Sequence, residues 1–262
     1  MRAPAPLPTD PVPRRTILTP IGSVIANGYL VVATLFFGSL AAVIGWLPPR
    51  GFWMYQLARM WSWGWLIFAG IRLRIFDRPP RELGGAIYMS NHQSYFDIPT
   101  LIGTLPGQTR FLAKRMLFKI PIFGWALYAG GFIPVDRGDR QAARNTYAAA
   151  LKTLEKGHSI LIFPEETRSA DGKLKRFKRG GAVMALETGF PIVPVGLRGT
   201  RQVQPRDRWT VTPGRVEIRY GEPIDPGAFD GDDPHALLDR VRAEIAALAG
   251  LADDDAPEAT RR

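Results

Sequence analysis

Apolar residues are distributed along this chain in two ways. From Ile21 to Leu47 they continue for 27 residues without a charge. As a helix this run is about 40 Å long, enough to cross a hydrocarbon core of about 30 Å. Pro48-Pro49 should end it, because proline has no N–H to continue a helix. The run is too long for a secretory signal, and no convincing cleavage site follows it. A second apolar stretch, Phe52 to Ile71, holds Trp53, Trp61, Trp63, Trp65 and one charge, Arg59. An arginine at mid-bilayer costs about 2.5–3.5 kcal/mol, and clustered tryptophan favours the headgroup level. An interfacial or re-entrant segment is expected there, not a second span. Arg14 and Arg15 precede the first segment, and Arg50 and Arg59 follow it. This placement does not settle orientation, and suits a hairpin with both ends on the cytoplasmic side.

From Ile71 the pattern changes to short apolar runs alternating with helical periods. Strands are predicted at Arg72–Phe76, Ala86–Met89, Thr109–Ala113, Phe132–Val135, Ser159–Phe163, Ile192–Leu197 and Arg215–Tyr220. Arg140 to Lys156 places Ala143, Tyr147, Ala150, Leu151 and Leu154 on one helical face, and Pro234 to Leu248 does the same with Leu237, Leu238, Val241, Ile245 and Leu248. A further helix is predicted from about Gly180 to Glu187. The fold class is therefore α/β: a mixed central sheet flanked by helices, with an N-terminal hydrophobic helical membrane segment. Residues 1–16 are expected to be a disordered arm, 17–71 a membrane-anchoring segment, 72–249 the α/β domain and 250–262 a disordered acidic tail.

Charge sharpens this division. Residues 1–224 carry a net +16 and residues 225–262 a net −6, within an overall +10. A basic body implies an anionic partner, and the apolar segments favour lipid over nucleic acid. The absence of cysteine excludes disulfides, thiolate nucleophiles and Cys-based zinc sites.

Three histidines are present, His92, His158 and His235. Only His92 has a carboxylate within the same local turn, in Asn91-His92-Gln93-Ser94-Tyr95-Phe96-Asp97. An imidazole oriented by a carboxylate makes a general base near neutral pH. Asp97-Ile98-Pro99 reads as a helix start with Asp97 as its cap. On one continuous helix, residues five apart diverge by about 140°, whereas a strand–turn–helix junction can bring His92 and Asp97 together. Alone, H-x4-D is a weak pattern, and a plain cap beside a turn histidine is its bland reading. Ser90 and Ser94 flank His92, so spacing alone leaves a serine nucleophile open. There is, however, no G-x-S-x-G elbow, and no Walker A loop, G-x-G-x-x-G or H-E-x-x-H.

Further clusters sit near strand ends. Phe163-Pro164-Glu165-Glu166-Thr167-Arg168-Ser169 offers Arg168 as a planar fork for phosphate or carboxylate, with Glu165 to orient it or contact a hydroxyl. Lys173, Lys175, Arg176, Lys178 and Arg179 form a dense basic run before Gly180-Gly181, at a helix start where anions bind. A solvated loop is the ordinary reading of such a run, but Phe177 among the cations suits a membrane surface. Lys114 and Arg137 each close an apolar strand run, as charged strand ends commonly do. Ile192-Val193-Pro194-Val195 reads as a buried or edge strand, or as the wall of an apolar pocket. These residues by themselves describe a membrane-attached α/β enzyme acting on a phosphorylated substrate.

In this order the motifs resemble the glycerolipid acyltransferase family, specifically 1-acyl-glycerol-3-phosphate acyltransferases of the bacterial PlsC type, over about residues 70–225. Asn91-His92…Asp97 matches the first block. The stretch from Lys114 to Arg137 resembles the second, Phe163–Ser169 the third (usual form F-P-E-G-T-R-S) and Ile192–Val195 the fourth. Glu166 departs from the pattern, standing where the family usually has glycine. Pointing inward it should repel a phosphate unless nearby cations compensate; otherwise it points outward or signals a different acceptor.

The resemblance implies that His92 takes the proton of a glycerol hydroxyl, with Asp97 fixing its tautomer. That hydroxyl attacks an acyl thioester directly, without an acyl-enzyme. Lys114, Arg137, Glu165, Thr167, Arg168 and Lys178 would bind the acceptor. No cofactor or metal is implied, only acyl-CoA or acyl carrier protein as co-substrate. The implied partners are a lipid bilayer and lysophosphatidic acid or a related lyso-lipid, with no nucleic acid. The implied seat is the cytoplasmic face of the inner membrane. Lyso-ornithine lipid, another lysophospholipid or glycerol-3-phosphate are alternative acceptors. A membrane thioesterase and a noncatalytic anionic-lipid binder are the rival classes.

Overall fold

The computed structural model describes residues 19–48, 51–78, 83–136, 140–231 and 233–251. Arg137, the whole of the predicted N-terminal arm and nearly all of the acidic tail lie outside the described residues. All seven predicted strands form. They are β1 (Ile71–Phe76), β2 (Ile87–Ser90), β3 (Thr109–Lys114), β4 (Ile133–Val135), β5 (Ser159–Ile162), β6 (Ile192–Arg198) and β7 (Gly214–Tyr220). They make one sheet in the order β1-β7-β6-β2-β5-β3-β4. Neighbours are parallel from β6 to β4, β7 is antiparallel to β6, and β1 is parallel to β7. The mixed sheet expected from the alternating pattern is therefore present.

The helices are α1 (Thr19–Ile44), α2 (Phe52–Phe68), α3 (Asp97–Thr104), α4 (Phe123–Ala129), α5 (Arg140–Glu155), α6 (Gly180–Thr188), α7 (Thr200–Val203) and α8 (Pro234–Ala249). Strand periodicity assigns them to two layers. Tyr88, Leu161, Val195, Leu197 and Ile218 point to one face and pack with Met54 and Leu57 of α2, Leu101 of α3 and Leu127 of α4. Ile87, Met89, Ile160 and Ile162 point to the other and meet Leu154 of α5, Met184 of α6 and Val241 of α8. The inner strands β2, β5 and β6 are apolar on both sides, as parallel strands covered by helices are, whereas β1 and β7 alternate apolar with charged positions.

Helix α1 inverts the usual burial. It buries Ser23, Ala26, Ala33, Gly38 and Ala41, while Val24, Val32, Phe36 and Val43 are 63–74% exposed. Small residues let its backbone approach the domain, and the large apolar ones face outward. It is long and apolar enough to cross a membrane by length and composition. Yet it lies against the domain from end to end. Ser23 bonds Val211, Tyr29 stacks on Phe68, and Thr34 accepts from Trp61 Nε1. Gly38 faces Ile122, and Ala41 joins the core beneath the sheet.

In α2, tertiary packing divides the clustered tryptophans between core and surface. Trp65 is only 4% exposed and packs on Phe96, whereas Trp53 and Trp63 face outward. Arg59 turns inward, and its Nη2 donates to the Leu105 carbonyl at 2.6 Å. A carbonyl partner removes the penalty that an unpaired arginine would carry.

Gly196 marks the closest approach of α8 to the sheet. A Cβ there would fall inside contact distance of the Leu248 and Ala249 backbone. Gly196→Ala is therefore expected to displace α8 and lower unfolding stability by about 2 kcal/mol, as overpacking does. Denaturant melts of the two proteins measure it.

Candidate functional site

Strands β2, β6, β5, β3 and β4 are mutually parallel, so their C-terminal ends share one sheet edge. Sites in open α/β sheets form outside such ends. The three chemical motifs that follow β2, β5 and β3 therefore converge, although the chain separates them widely.

The junction after β2 begins with Asn91. Its side-chain amide donates to Leu197 O (2.9 Å) and accepts from Leu197 N–H (2.8 Å). This copies a peptide group and extends the β2–β6 pairing by one step. His92 comes next, where the chain leaves the sheet. Its Nδ1 lies 2.8 Å from Asp97 Oδ2, and the same oxygen accepts the backbone N–H groups of Gln93 (2.7 Å) and Ser94 (2.8 Å). Asp97 is fully buried.

Helix α3 does start at Asp97, but its carboxylate does not cap it. It reaches back into the turn, because the Gln93 and Ser94 N–H groups converge there. The Ser94 hydroxyl accepts from Phe96 N–H (3.1 Å) and donates to Gln204 O (2.8 Å). A carboxylate acceptor at Nδ1 sets the tautomer and leaves Nε2 as the basic nitrogen. The ring stacks on Phe163 with centroids 4.1 Å apart and is 15% exposed. Stacking and the Asp97 bond fix its orientation.

Glu165 takes a different place from the one its motif suggested. Its Oε1 accepts from His92 N–H (2.7 Å) and its Oε2 from Lys175 N–H (3.0 Å). It is 4% exposed, and neither oxygen bonds Arg168. Burial is the largest influence on its carboxyl and pushes it up to about 7, against the two backbone donors that favour the charged form. The His92 carbonyl also accepts from Ser169 N–H (2.8 Å). The third motif thus grips the backbone of the first.

Arg168 lies over the Tyr95 ring at 3.5 Å. Its Nη1 donates to Arg206 O (3.4 Å), and Arg206 Nη1 donates to Arg168 O (3.0 Å). Thr167 Oγ1 accepts from Lys175 Nζ (3.0 Å). Glu166 is exposed and adopts φ +58°. This left-handed conformation costs an ordinary residue about 1–2 kcal/mol and suits glycine, which accounts for glycine in the usual motif.

The basic run is not a free loop. Phe177, expected to face a membrane, is 4% exposed and packs with Leu174 against Leu237 and Val241. Arg242 of α8 donates to Lys175 O (2.8 Å) and Leu174 O (3.2 Å). The signal for Arg242 was legible: a cation on the apolar face of a helix, between Leu238 and Ile245. Tyr95, Asn91 and Arg206 were also missed; local patterning does not reveal their partners.

His92, Lys114, Glu166, Arg168 and Lys178 all line one cavity of about 870 Å³. Its other wall is apolar and includes Phe37 and Ala41 of α1, Leu57 and Trp61 of α2, and Ala126 and Leu127 of α4. Cations and an imidazole therefore sit at one end of a space suited to a hydrocarbon chain. Glu165 and Thr167 stand behind this lining. Among the described residues, no three His, Cys, Asp or Glu side chains gather as a metal site.

The Glu165 geometry has a thermodynamic consequence. Its carboxyl is raised in the fold, so between about pH 4.5 and 7 the native state holds the proton that the unfolded chain releases. This group therefore lowers stability as pH rises through that window. The expected outcome is a smaller decline in Tm from pH 5 to 8 for Glu165→Gln than for the native chain, read by thermal melts across that range.

The family model described as Acyltransferase matches residues 74–198. The chain is 33% identical to chloroplastic 1-acyl-sn-glycerol-3-phosphate acyltransferase LPAT1 of Arabidopsis thaliana, over 76% of this chain and 55% of that one. It thus spans about half the length of its chloroplast relatives. Bacterial proteins of the same description match more fully. The one from Pseudomonas aeruginosa is 32% identical over 69% of this chain and 70% of its own, and that from Salmonella typhimurium 33% over 65% and 71%. The crystal structure of PlsC from Thermotoga maritima superposes with a TM-score of 0.75 at 27% identity, covering 87% of this chain and 93% of that one. With the His–Asp turn at the shared strand edge and relatives matched over two thirds of their length, the chain belongs to the acyltransferase family represented by PlsC.

Proposed function

We propose that the chain transfers a fatty acyl group from an acyl thioester, acyl-CoA or acyl carrier protein, to the sn-2 hydroxyl of 1-acyl-sn-glycerol-3-phosphate, giving phosphatidic acid. The observation that carries this reading is the His92–Asp97 pair at the cationic end of a cavity whose far wall is apolar. Nε2 of His92 takes the hydroxyl proton as the oxygen attacks the thioester carbon. Asp97 supports the imidazolium. The C–S bond then breaks, and the proton passes to the departing thiolate. The acyl group moves directly between substrates, so no acyl-enzyme forms. Holding both in one cavity supplies the entropic advantage. Lys114, Arg168 and Lys178 line the cavity and would meet the acceptor phosphate; Arg137 is assigned to the same task by its motif alone.

The outward apolar residues of α1, with Trp63 and Ile67 of α2 and Trp125 of α4, support a lipid-facing surface. Because α1 is packed along the domain, it would lie with that face in one leaflet, at the cytoplasmic side of the inner membrane. The acceptor lipid then reaches the site without leaving the bilayer.

The test is thiol release from acyl-CoA with and without lysophosphatidic acid. Acceptor-dependent release is expected, lost by about a thousandfold in His92→Ala and by about a hundredfold or more in Asp97→Asn. Release that ignores the acceptor would make the chain a thioesterase.

Glu166 at the cavity mouth favours one secondary reading, an acceptor other than lysophosphatidic acid. If the phosphate is the acceptor group, Glu166→Gly should lower KM for lysophosphatidic acid several-fold, since a nearby anion is removed. It should also raise Tm, since the left-handed strain goes. A raised KM for this acceptor, with another lyso-lipid preferred by the native chain, would establish the different substrate. Competition assays over a panel of lyso-lipids read both.

A further inference from the structure

We infer that the loop from Gln204 to Pro213 is a second bilayer contact, an interfacial anchor that seats the Arg168 side of the cavity on an anionic lipid surface. This rests on the proposed membrane-facing role of α1. Trp209 is the starting observation. Its side chain is 58% exposed, yet its backbone is pinned. Its carbonyl accepts from Asn27 Nδ2 of α1 (2.9 Å) and from Gln204 Nε2 (3.4 Å). Two residues on, Val211 N–H donates to Ser23 Oγ of α1 (2.8 Å), and the Val211 side chain is buried with Ala26, Trp65 and Phe96.

The loop is therefore rigid and still presents its largest apolar group outward. A lone exposed tryptophan is unremarkable, but this one is held against the first turns of α1. There Ile21, Val24 and Ile25 are 50–63% exposed. Trp209 continues that apolar surface from a segment more than 180 residues away in sequence.

The chemistry around it fits the headgroup layer rather than another protein. Tryptophan favours the interface between hydrocarbon and water. Exposed Arg206 and Arg208 lie beside it in the loop, with Asp207 between them paired to Arg206. Arginine suits lipid phosphate, and each cation near an anionic surface is worth about 1 kcal/mol. The loop also touches the site. Arg206 and Arg168 each donate to the other's carbonyl, so the anchor and the phosphate-facing arginine share one backbone brace. Docking the loop would set the height of Arg168 relative to the lipid headgroups.

The experiment uses the full chain, which has no native cysteine. Arg208→Cys carries an environment-sensitive fluorophore, with Val24→Cys on α1 as the positive control. Arg74→Cys, on the sheet face opposite the α1 layer, is the aqueous control. On vesicles rich in phosphatidylglycerol, the probe at 208 is expected to shift to the blue as at 24, while that at 74 stays water-like. Adding Trp209→Ala should abolish the shift at 208 and leave that at 24. A water-like probe at 208 beside a shifted one at 24 would overturn the inference.

A kinetic arm separates this from the proposed reaction. In Trp209→Ala, KM for vesicle-borne lysophosphatidic acid should rise by about fivefold to tenfold, with kcat for a short-chain, water-soluble acceptor unchanged. Equal loss with both acceptors would make Trp209 merely structural and overturn the anchor. A native chain silent with every acceptor would sink the proposed reaction while leaving the fluorescence result to decide the anchor.

Discussion

A single buried oxygen organises the turn by which the chain leaves the sheet after β2. Asp97 Oδ2 collects the imidazole N–H of His92 and two backbone N–H groups within one turn. Three donors converge on one carboxylate oxygen that is shielded from water. They also close the turn so that the ring must stand upright at the sheet edge. The surrounding contacts serve this turn. Asn91 ties its entry to β6, Ser94 ties its exit to Gln204, and Glu165 and Ser169 hold the His92 peptide from both sides. The His92 imidazole is thus built into the framework of the fold.

The same economy joins the outward apolar face of α1 to the cavity. Helix α1 turns small residues inward and large ones outward, so one helix can face lipid on one side and wall the cavity on the other. A soluble core helix would do the reverse. Helices α1 and α2 share a core with the sheet through Ala41, Met54 and Leu57. Their position relative to His92 is set by packing rather than by a linker. An acyl chain in the cavity would therefore touch the same two helices.

The acceptor end is supported from a distance. Arg242, on the last helix and beyond the residues matched by the family model, holds the carbonyls of Leu174 and Lys175. Glu165 holds the Lys175 N–H from the opposite side. Between these clamps the cations of the basic run project from a braced backbone, which limits the reorganisation needed to meet a phosphate. Glu166 is the strained member of the group. It occupies a left-handed turn that glycine would fill without strain, and it adds a negative charge at the cavity mouth.

The sequence by itself determined the element plan and the pairing of His92 with Asp97. Seven short runs became seven strands, because burial on both faces of β2, β5 and β6, and alternation along β1 and β7, leave a local signature in composition. The His92–Asp97 spacing after β2 became a turn, because a strand end and a helix start are both written locally. Partners were not legible. Nothing in their neighbourhoods links Glu165 to His92, Phe177 to α8, or Val211 to Ser23, pairs separated by 73 residues in the first case and 188 in the last. Those contacts follow from the order β1-β7-β6-β2-β5-β3-β4. That order is chosen by the global packing of two helical layers, so no local period along the chain encodes it.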